Sequence, residues 1–95
     1  MYENKKIGFI GGGMVAEAII RGLILHGHNA ANIYVSDPSE KRRELLSILN
    51  KKLNIDVSNN TTVEQSEIVI MAVKPQVFIS VAEDIKIGQS QQNTM

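Results

Sequence analysis

The segment that decides the fold is KIGFIGGGMVAEAI, Lys6 to Ile19, near the start of the chain. It joins a short apolar run, residues 7–10, to a run of good helix formers through three consecutive glycines. Glycine loses more conformational entropy on folding than other residues, so such a cluster indicates a sharp bend or a close approach of the backbone to another group. The segment predicts a buried strand, a tight turn and a helix from residue 14 to about residue 25, with Gly27 as its stop.

The rest of the chain repeats this order of strand and helix. Further strands are predicted at residues 33–35, 55–57 and 68–73, the last apolar on both faces as in a central parallel strand. Ser39 is the predicted N-cap of a helix that runs to about residue 50 and packs through Leu45, Leu46 and Leu49. Asn59 and Asn60 are predicted to form a loop, followed by a helical turn at 62–66 and a last helix at 77–84.

This alternation predicts an α/β fold, a Rossmann-type doubly wound parallel sheet in three αβα layers. Right-handed crossovers give the strand order 3-2-1-4. We expect residues 1–88 to form this incomplete domain and residues 89–95 to form a polar tail. A chain of 95 residues holds one small domain at most.

Composition excludes several classes of function. Ten basic and ten acidic side chains cancel, which argues against nucleic acid or an anionic membrane as a partner. Cysteine is absent, and His26 and His28 lack further ligands, so no metal site is predicted and the two histidines are assigned capping or surface roles. The apolar run at the start is broken at once by glycine, so neither a signal peptide nor a membrane span is expected, and the predicted location is the cytoplasm.

The glycines form the pattern Gly11-x-Gly13-x-x-Ala16 at the first strand-to-helix turn. Dinucleotide-binding folds place their phosphate site there. Gly11 permits the tight turn, Gly13 leaves no Cβ in the way of a diphosphate, and Ala16 lets the helix lie close to the strand. The start of the helix offers free N–H groups and a partial positive charge to the phosphates. The alternative is a glycine-rich turn with no ligand.

Asp37 follows the second strand, about twenty residues beyond Ala16, where a carboxylate binds the adenosine ribose. By itself it favours NAD, because it would repel a 2′-phosphate. Ser36 and Ser39 flank it, however, and the basic run of residues 41–43 offers groups that hold such a phosphate. The alternative is that Asp37 only supports a turn and the basic run is a solvated face. The choice of cofactor stays open.

Two more segments follow strands on the ligand-binding edge of such a sheet. They are Asn59, after the third predicted strand, and residues 72–75 (AVKP), at the end of the fourth. Lys74 taken alone is as well explained as an exposed charge. Glu17, in the first turn of the first helix, is assigned to the helix dipole rather than to chemistry.

Three segments, IGFIGGGMVAEAIIRGL, VSDPS and IVIMAVKPQVF, in this order and spacing, resemble the N-terminal cofactor domain of the pyrroline-5-carboxylate reductase family. The resemblance spans residues 6–85, and AVKPQ is its most specific part. It implies reduction of 1-pyrroline-5-carboxylate to proline with NADPH or NADH, with residues 72–75 beside the nicotinamide and its ribose. It assigns no catalytic side chain to this chain. The implied cofactor contacts are Ile10, Gly11, Gly12, Gly13, Met14, Val15, Ser36, Asp37, Ser39, Asn59, Ala72, Val73, Lys74 and Pro75.

The length of the chain departs from this family. Its members continue with more strands and then a helical domain that forms the homo-oligomer and holds the imino acid. We therefore expect the chain alone to be inactive. Two other functions remain open: another dehydrogenase, of the 6-phosphogluconate or 3-hydroxyacid type, and a non-catalytic nucleotide-binding fragment.

Overall fold

The structure, a computed structural model, describes residues 5–73 and residue 85. Four strands alternate with three α-helices, and a short 3₁₀ turn, Ala30–Asn32, precedes the second strand. The strands are β1 (Ile7–Ile10), β2 (Ile33–Ser36), β3 (Asn54–Asp56) and β4 (Ile68–Met71). The helices are α1 (Met14–Leu25), α2 (Glu40–Leu49) and α3 (Asn59–Gln65). The predicted helix at 77–84 and the predicted tail at 89–95 lie outside the described residues.

The four strands form one parallel sheet in the order β3-β2-β1-β4. Ile7 is in register with Ile33 on one side and with Ile68 on the other, and Val35 is in register with Ile55. Parallel strands need a crossover between them, which the helices supply. The predicted α/β class and the strand order 3-2-1-4 are confirmed.

The helices lie on both faces of the sheet. On one face, Ile7 and Phe9 of β1 pack in a buried cluster with residues of α1 and α2, among them Ile20 and Leu46. On the opposite face α3 lies against β1, where a Cβ built on Gly8 would be 2.8 Å from Thr62 Cγ2. Successive side chains of a strand point to opposite faces, so β1 supplies both layers of the core.

Several predicted boundaries are wrong. Asn59 is the first residue of α3 and not part of a loop, because Ser58 caps the helix by accepting a hydrogen bond from the N–H of Thr61. β3 begins at Asn54, one residue earlier than predicted, and β4 ends at Met71 rather than at residue 73.

Two predictions of burial are also wrong. The sequence predicts Leu45 on the core face of α2, but Leu45 is 44% exposed, whereas Leu46 is fully buried. Ile68 and Val69 of β4 are each 38% exposed, although the apolar run predicted burial on both faces. Within the described residues β4 pairs with β1 alone, which makes it an edge strand there.

The predicted end of α1 is confirmed in detail. Gly27 adopts φ +97°, a left-handed conformation that favours glycine. Its N–H donates to Ile24 O and that of His28 to Leu23 O, the paired bonds that close many helices. The His28 side chain is buried rather than on the surface, with Nε2 3.0 Å from Lys5 O. Among the described helices, none is long and apolar enough to cross a membrane.

Candidate functional site

The segments that follow the four strands meet at the carboxyl edge of the sheet. Three main-chain hydrogen bonds join them: Gly11 N–H to Ser36 O at 2.8 Å, Ala72 N–H to Ile10 O at 2.8 Å, and Asp37 N–H to Asp56 O at 3.1 Å. This edge is where parallel α/β sheets bind ligands. The structure therefore brings the described part of the predicted site onto one rim.

Gly11 makes the turn between β1 and α1 and leaves no room for a side chain. Its φ is +100°, and a Cβ built on it would lie 2.6 Å from Ala72 O and 2.9 Å from Val73 Cγ1. Both the backbone conformation and the close packing of the chain after β4 therefore require glycine. Ala72 and Val73 lie beside the glycine turn as a result, and both are half-buried.

Gly13 is the N-cap of α1 and borders open space. A Cβ built there would have nothing within 4 Å, and no side chain caps the helix. By contrast, Ser39 caps α2 and Ser58 caps α3. The first N–H groups of α1 thus face an open rim, the arrangement that binds phosphates at helix N-termini.

The residues present fit a diphosphate at this position. Because Gly13 has no side chain, the space where its Cβ would lie is left open for the ligand. Met14 and Val15, the next two residues, are 83% and 68% exposed, so neither side chain is packed into the fold. Ala16 is fully buried and permits close packing of α1 on the sheet, the part that the sequence pattern predicted for it.

Two side chains bind the main chain of Gly12, one at its N–H and one at its C=O: Asp37, which follows β2, and Arg42, in the first turn of α2. The N–H of Gly12 donates to Asp37 Oδ2 at 2.8 Å, and its carbonyl oxygen accepts a hydrogen bond from Arg42 Nε at 2.7 Å. Asp37 Oδ1 also accepts the N–H of Ser39 at 2.8 Å. Asp37 and Arg42 therefore fix the glycine turn relative to the end of β2. We call this group, Gly12 with Asp37 and Arg42, the Gly12 clamp.

Glu17 connects the Gly12 clamp to α1. Its carboxylate accepts from Arg42 Nη2 at 2.9 Å and from Arg21 at 3.1 Å. These hydrogen bonds, first that from Arg42 and then that from Arg21, lower the pKa of Glu17 below its ordinary value, although partial burial opposes the shift. The pairing of Glu17 with Arg21 has the four-residue spacing of a helix and is readable from sequence. The pairing with Arg42 is not, since 25 residues separate the two.

Ser36 and Asn59, both predicted site residues, contact each other directly. Ser36 is fully buried at the end of β2, and its hydroxyl donates to Asn59 Oδ1 at 2.7 Å. The bond fixes the amide of Asn59 with its oxygen toward β2, which leaves the NH₂ group as a donor on the other side. The start of α3 is thereby attached to the rim.

Lys74 and Pro75, the remaining two predicted site residues, lie outside the described residues. Within residues 5–73 and residue 85, no three histidine, aspartate or glutamate side chains are grouped so as to hold a metal ion.

Comparison with known proteins identifies the chain's relatives. It is 42% identical over 87 residues to a pyrroline-5-carboxylate reductase of Pasteurella multocida, covering 87% of this chain and 31% of that protein. A pyrroline-5-carboxylate reductase of Methanosarcina acetivorans is 44% identical over 87 residues, covering 88% of this chain and 31% of that protein. The chain therefore spans about 31% of the length of these relatives, which confirms its resemblance to the N-terminal part of such enzymes.

A solved structure supports the same conclusion. The pyrroline-5-carboxylate reductase of Coxiella burnetii matches with a TM-score of 0.77 and 31% identity, over 86% of this chain and 30% of that protein. Residues 6–95 also match the family described as NADP oxidoreductase, coenzyme F420-dependent. Sheet order, glycine turn and sequence agree, and this chain belongs to that NADP oxidoreductase family.

Proposed function

We propose that this chain is the cofactor-binding part of a pyrroline-5-carboxylate reductase, which reduces 1-pyrroline-5-carboxylate to proline. The observation that carries the proposal is the uncapped start of α1 beside Gly13, open to solvent at the carboxyl edge of a parallel sheet. A bound NADH or NADPH supplies the hydride for the C=N bond of the imino acid. The chain's own residues bind and orient that cofactor.

The diphosphate would lie on residues 10–15. Its oxygens would accept hydrogen bonds from the first N–H groups of α1, where the helix dipole favours negative charge. The Gly12 clamp keeps this turn in one conformation before the ligand arrives, because Asp37 and Arg42 hold both polar groups of the residue. Such preorganisation lowers the entropic cost of binding.

The adenosine ribose would lie at the end of β2, against Ser36, Asp37 and Ser39. Each carboxylate oxygen of Asp37 already accepts one main-chain N–H and can accept another hydrogen bond from a ribose hydroxyl. Asn59 would offer its NH₂ group to the same end of the nucleotide. The side chain of Ser39 is exposed, and its hydroxyl, which accepts the N–H of Arg42, can still donate a hydrogen bond to the nucleotide.

The nicotinamide end would lie against residues 72–75. Ala72 and Val73 form the part of this wall that the structure describes, next to Gly11. Lys74 and Pro75 are assigned to it by resemblance. Hydride transfer also requires groups that orient the imino acid and exclude water. We assign the groups that orient the imino acid, and the contacts that form a homo-oligomer, to the remaining part of a full-length reductase. Residues 1–88 would be its cofactor-binding unit. We place the enzyme in the cytoplasm.

Calorimetric titration of Gly13→Ala tests the nucleotide site. The new methyl group would enter open space, so the fold should persist, but it would occupy the position of the diphosphate. We expect NADH and NADPH each to bind at least about tenfold more weakly, a loss of ~1.4 kcal/mol. Gly22→Ala is the matched control, because a Cβ there also meets nothing within 4 Å but lies within α1, away from the rim. Equal affinities for the Gly13→Ala variant and the control would contradict the site.

The activity is tested with a chimera. The chain replaces the matching 31% of the Pasteurella multocida reductase and is joined to the rest of that enzyme. We expect the chimera to oxidise NADH or NADPH when 1-pyrroline-5-carboxylate is added, and the chain alone to bind the cofactor without turnover. A folded chimera that binds the cofactor but does not reduce the imino acid would refute the reductase assignment.

A further inference from the structure

We infer that an apolar groove beside α1 is the surface on which a later segment of a full-length reductase docks. The inference rests on the proposed function, since the occupant is part of that enzyme. Ile19 and Gly22 of α1 form the wall of the groove, and Ile68 and Ile70 of β4 form its floor. We call these four residues the α1–β4 groove.

The wall is the side of α1 that faces away from α2. Glu17 marks the side toward α2, because its carboxylate accepts a hydrogen bond from Arg42 at 2.9 Å. Successive helical residues are about 100° apart, so Ile19 and Gly22 lie roughly 200° and 140° around the helix from Glu17. Because α2 contacts β3, at the far edge of the sheet, this side of α1 faces β4.

The floor is the side of β4 that shares a face with α1. Ile68 is in register with Ile7, and Ile70 with Phe9. Paired residues of neighbouring strands point to the same face, so Ile68 and Ile70 lie on the face that α1 and α2 cover. Within the described residues, these two helices connect β1 to β2 and β2 to β3, so neither crosses β4. Ile68 accordingly remains 38% exposed.

The composition of α1 indicates that its outer surface is covered in the complete protein. Its two charged residues, Glu17 and Arg21, pair with each other. The remaining exposed positions of the helix are apolar, among them Leu25 at 81% and Ile19 at 37% exposure. A helix that is apolar all round is normally buried. Exposed apolar groups of α1 and β4 adjoin at the groove, and such a patch marks an interaction surface.

The size of the groove favours a segment of the same polypeptide over a second copy of the chain. A helix of 12 residues is roughly 18 Å long and about 10 Å wide, so the groove offers on the order of 200 Å². A stable complex of separate proteins buries about 800 Å² on each partner. A tethered segment loses little translational freedom when it docks, so a small contact suffices. The relatives are long enough to supply one, since the chain spans about 31% of their length.

The handedness of the connections indicates that the occupant is not the element next to β4. α1 and α2 lie on the face of the groove, whereas α3, which leads the chain from β3 back to β4, lies on the opposite face. A right-handed connection from β4 to a strand beyond it would again lie on the face of α3. The groove therefore suits a later segment, a helix with an apolar side that packs on β4 beside α1.

Thiol labelling of single-cysteine variants tests the inference, because the chain has no cysteine of its own. Gly22→Cys is treated with a maleimide in the chain alone and in the chimera with the Pasteurella multocida reductase. Mass spectrometry of the peptide that holds residue 22 gives the rate. We expect labelling to be at least about tenfold slower in the chimera, because a covered thiol is inaccessible to the reagent.

Ile48→Cys is the matched control. Ile48 is 80% exposed and lies on α2, outside the groove, so its rate should be the same in the chain and in the chimera. Ile19→Cys provides a second position on the wall and should respond as Gly22→Cys does if that variant does not fold.

Each other result would overturn the inference. Equally fast labelling of Gly22→Cys in the chain and in a folded chimera would show that nothing docks there. Slow labelling in the chain alone would assign the cover to a second copy if the rate falls with protein concentration, and to the 95 residues themselves if it does not. An active chimera with fast labelling would leave the proposed function intact, whereas slow labelling in an inactive chimera would contradict the reductase activity alone.

A bulky side chain provides an independent measurement. Gly22→Phe places a ring in the groove, where a Cβ meets nothing within 4 Å, so the thermal midpoint of the chain alone should not fall. In the chimera the ring would collide with the docked segment, and we expect the midpoint to fall by about 2–4 °C or more. Ile48→Phe should change neither protein. A folded Gly22→Phe chimera with the midpoint of its parent would refute docking in the groove.

Discussion

The Gly12 clamp shows how a few side chains connect segments that are far apart in sequence. Asp37 and Arg42 bind the main chain of a residue 25 and 30 positions earlier, and Arg42 also binds Glu17. The carboxylate that follows β2 thus holds the glycine turn, and in the proposed site it would also border the ribose. A substitution at Asp37 should therefore affect both the turn and the binding of the proposed ligand.

Replacing Glu17 by glutamine tests whether its ion pairs with Arg42 and Arg21 stabilise the fold. Since the pKa of Glu17 is lowered in the folded protein, the unfolded chain binds its proton more tightly. The stabilisation is therefore complete above the ordinary pKa of 4.5 and is lost as the pH falls through the lower folded value. We expect Glu17→Gln to have a lower urea midpoint than the wild type at pH 7, and the difference to shrink as the pH falls below 4.5 and through the lowered pKa of the folded protein.

The control for this experiment is Glu44→Gln. Glu44 is an exposed carboxylate on α2, so removal of its charge should shift the urea midpoint little at any pH. A difference between wild type and Glu17→Gln that stays constant from pH 7 to pH 3 would show that the ion pairs with Arg42 and Arg21 do not stabilise the fold.

At the scale of the element, α2 carries both the cap and the arginine that the site uses. Ser39 accepts the N–H of Arg42 through its hydroxyl and donates its own N–H to Asp37. Ser39, the residue before the helix, thus links Arg42, the third residue of α2, to Asp37 at the rim. The start of α2 must be well formed for Arg42 to reach Gly12.

Ser39→Ala removes that cap, and we expect it to destabilise the protein by about 1 kcal/mol, as loss of an N-cap hydroxyl does in other helices. Urea unfolding followed by circular dichroism measures the change. Ser39→Asp should retain most of the stability, because aspartate caps as well as serine does. The control is Ser47→Ala: Ser47 lies inside α2 and its hydroxyl donates to Glu44 O, so alanine should be neutral or slightly stabilising there.

Apolar residues at helical spacing are the signal by which a sequence predicts a helix, and α1 has this signal whereas α3 lacks it. The apolar residues of α1 recur at helical spacing between glycines, and the predicted bounds agree with the observed Met14–Leu25. The segment of α3, NNTTVEQ, has one apolar residue and no such period, so its sequence predicts a loop and a short helical turn. Its helix depends on the cap at Ser58 and on contact of Thr62 with the sheet, and that contact is not visible in local sequence.

The candidate site also contains some features that the sequence predicts and others that it does not. The positions of Gly11 and Gly13 and the placement of Asp37 at the rim follow from the strand-turn-helix pattern, which fixes where strands end. The partners of Asp37 do not, since they depend on how two turns approach each other in the folded chain. The sequence therefore predicts Arg42 as part of a possible phosphate site, whereas the structure shows its guanidinium bound to Gly12 and Glu17.

At the scale of the whole molecule, the approach of α3 to the sheet depends on Gly8. A Cβ built on Gly8 would lie 2.8 Å from Thr62 Cγ2 and 2.9 Å from Ser66 Cβ, closer than real Cβ atoms approach other groups. We expect Gly8→Ala to push α3 away from β1 and to destabilise the protein by about 1–3 kcal/mol, the usual cost of overpacking. Because α3 begins at Asn59, the displacement should also weaken binding of the nucleotide.

Gly22→Ala makes the same chemical change where the packing allows it. Gly22 lies inside α1, and a Cβ there meets nothing within 4 Å, so alanine gains helix propensity without a clash. We expect it to stabilise the protein by about 0.5–1 kcal/mol in urea unfolding. The two variants should thus shift stability in opposite directions. If Gly8→Ala were as stable as the wild type, the layer of α3 could not lie against β1, and Asn59 would lose its place beside Ser36.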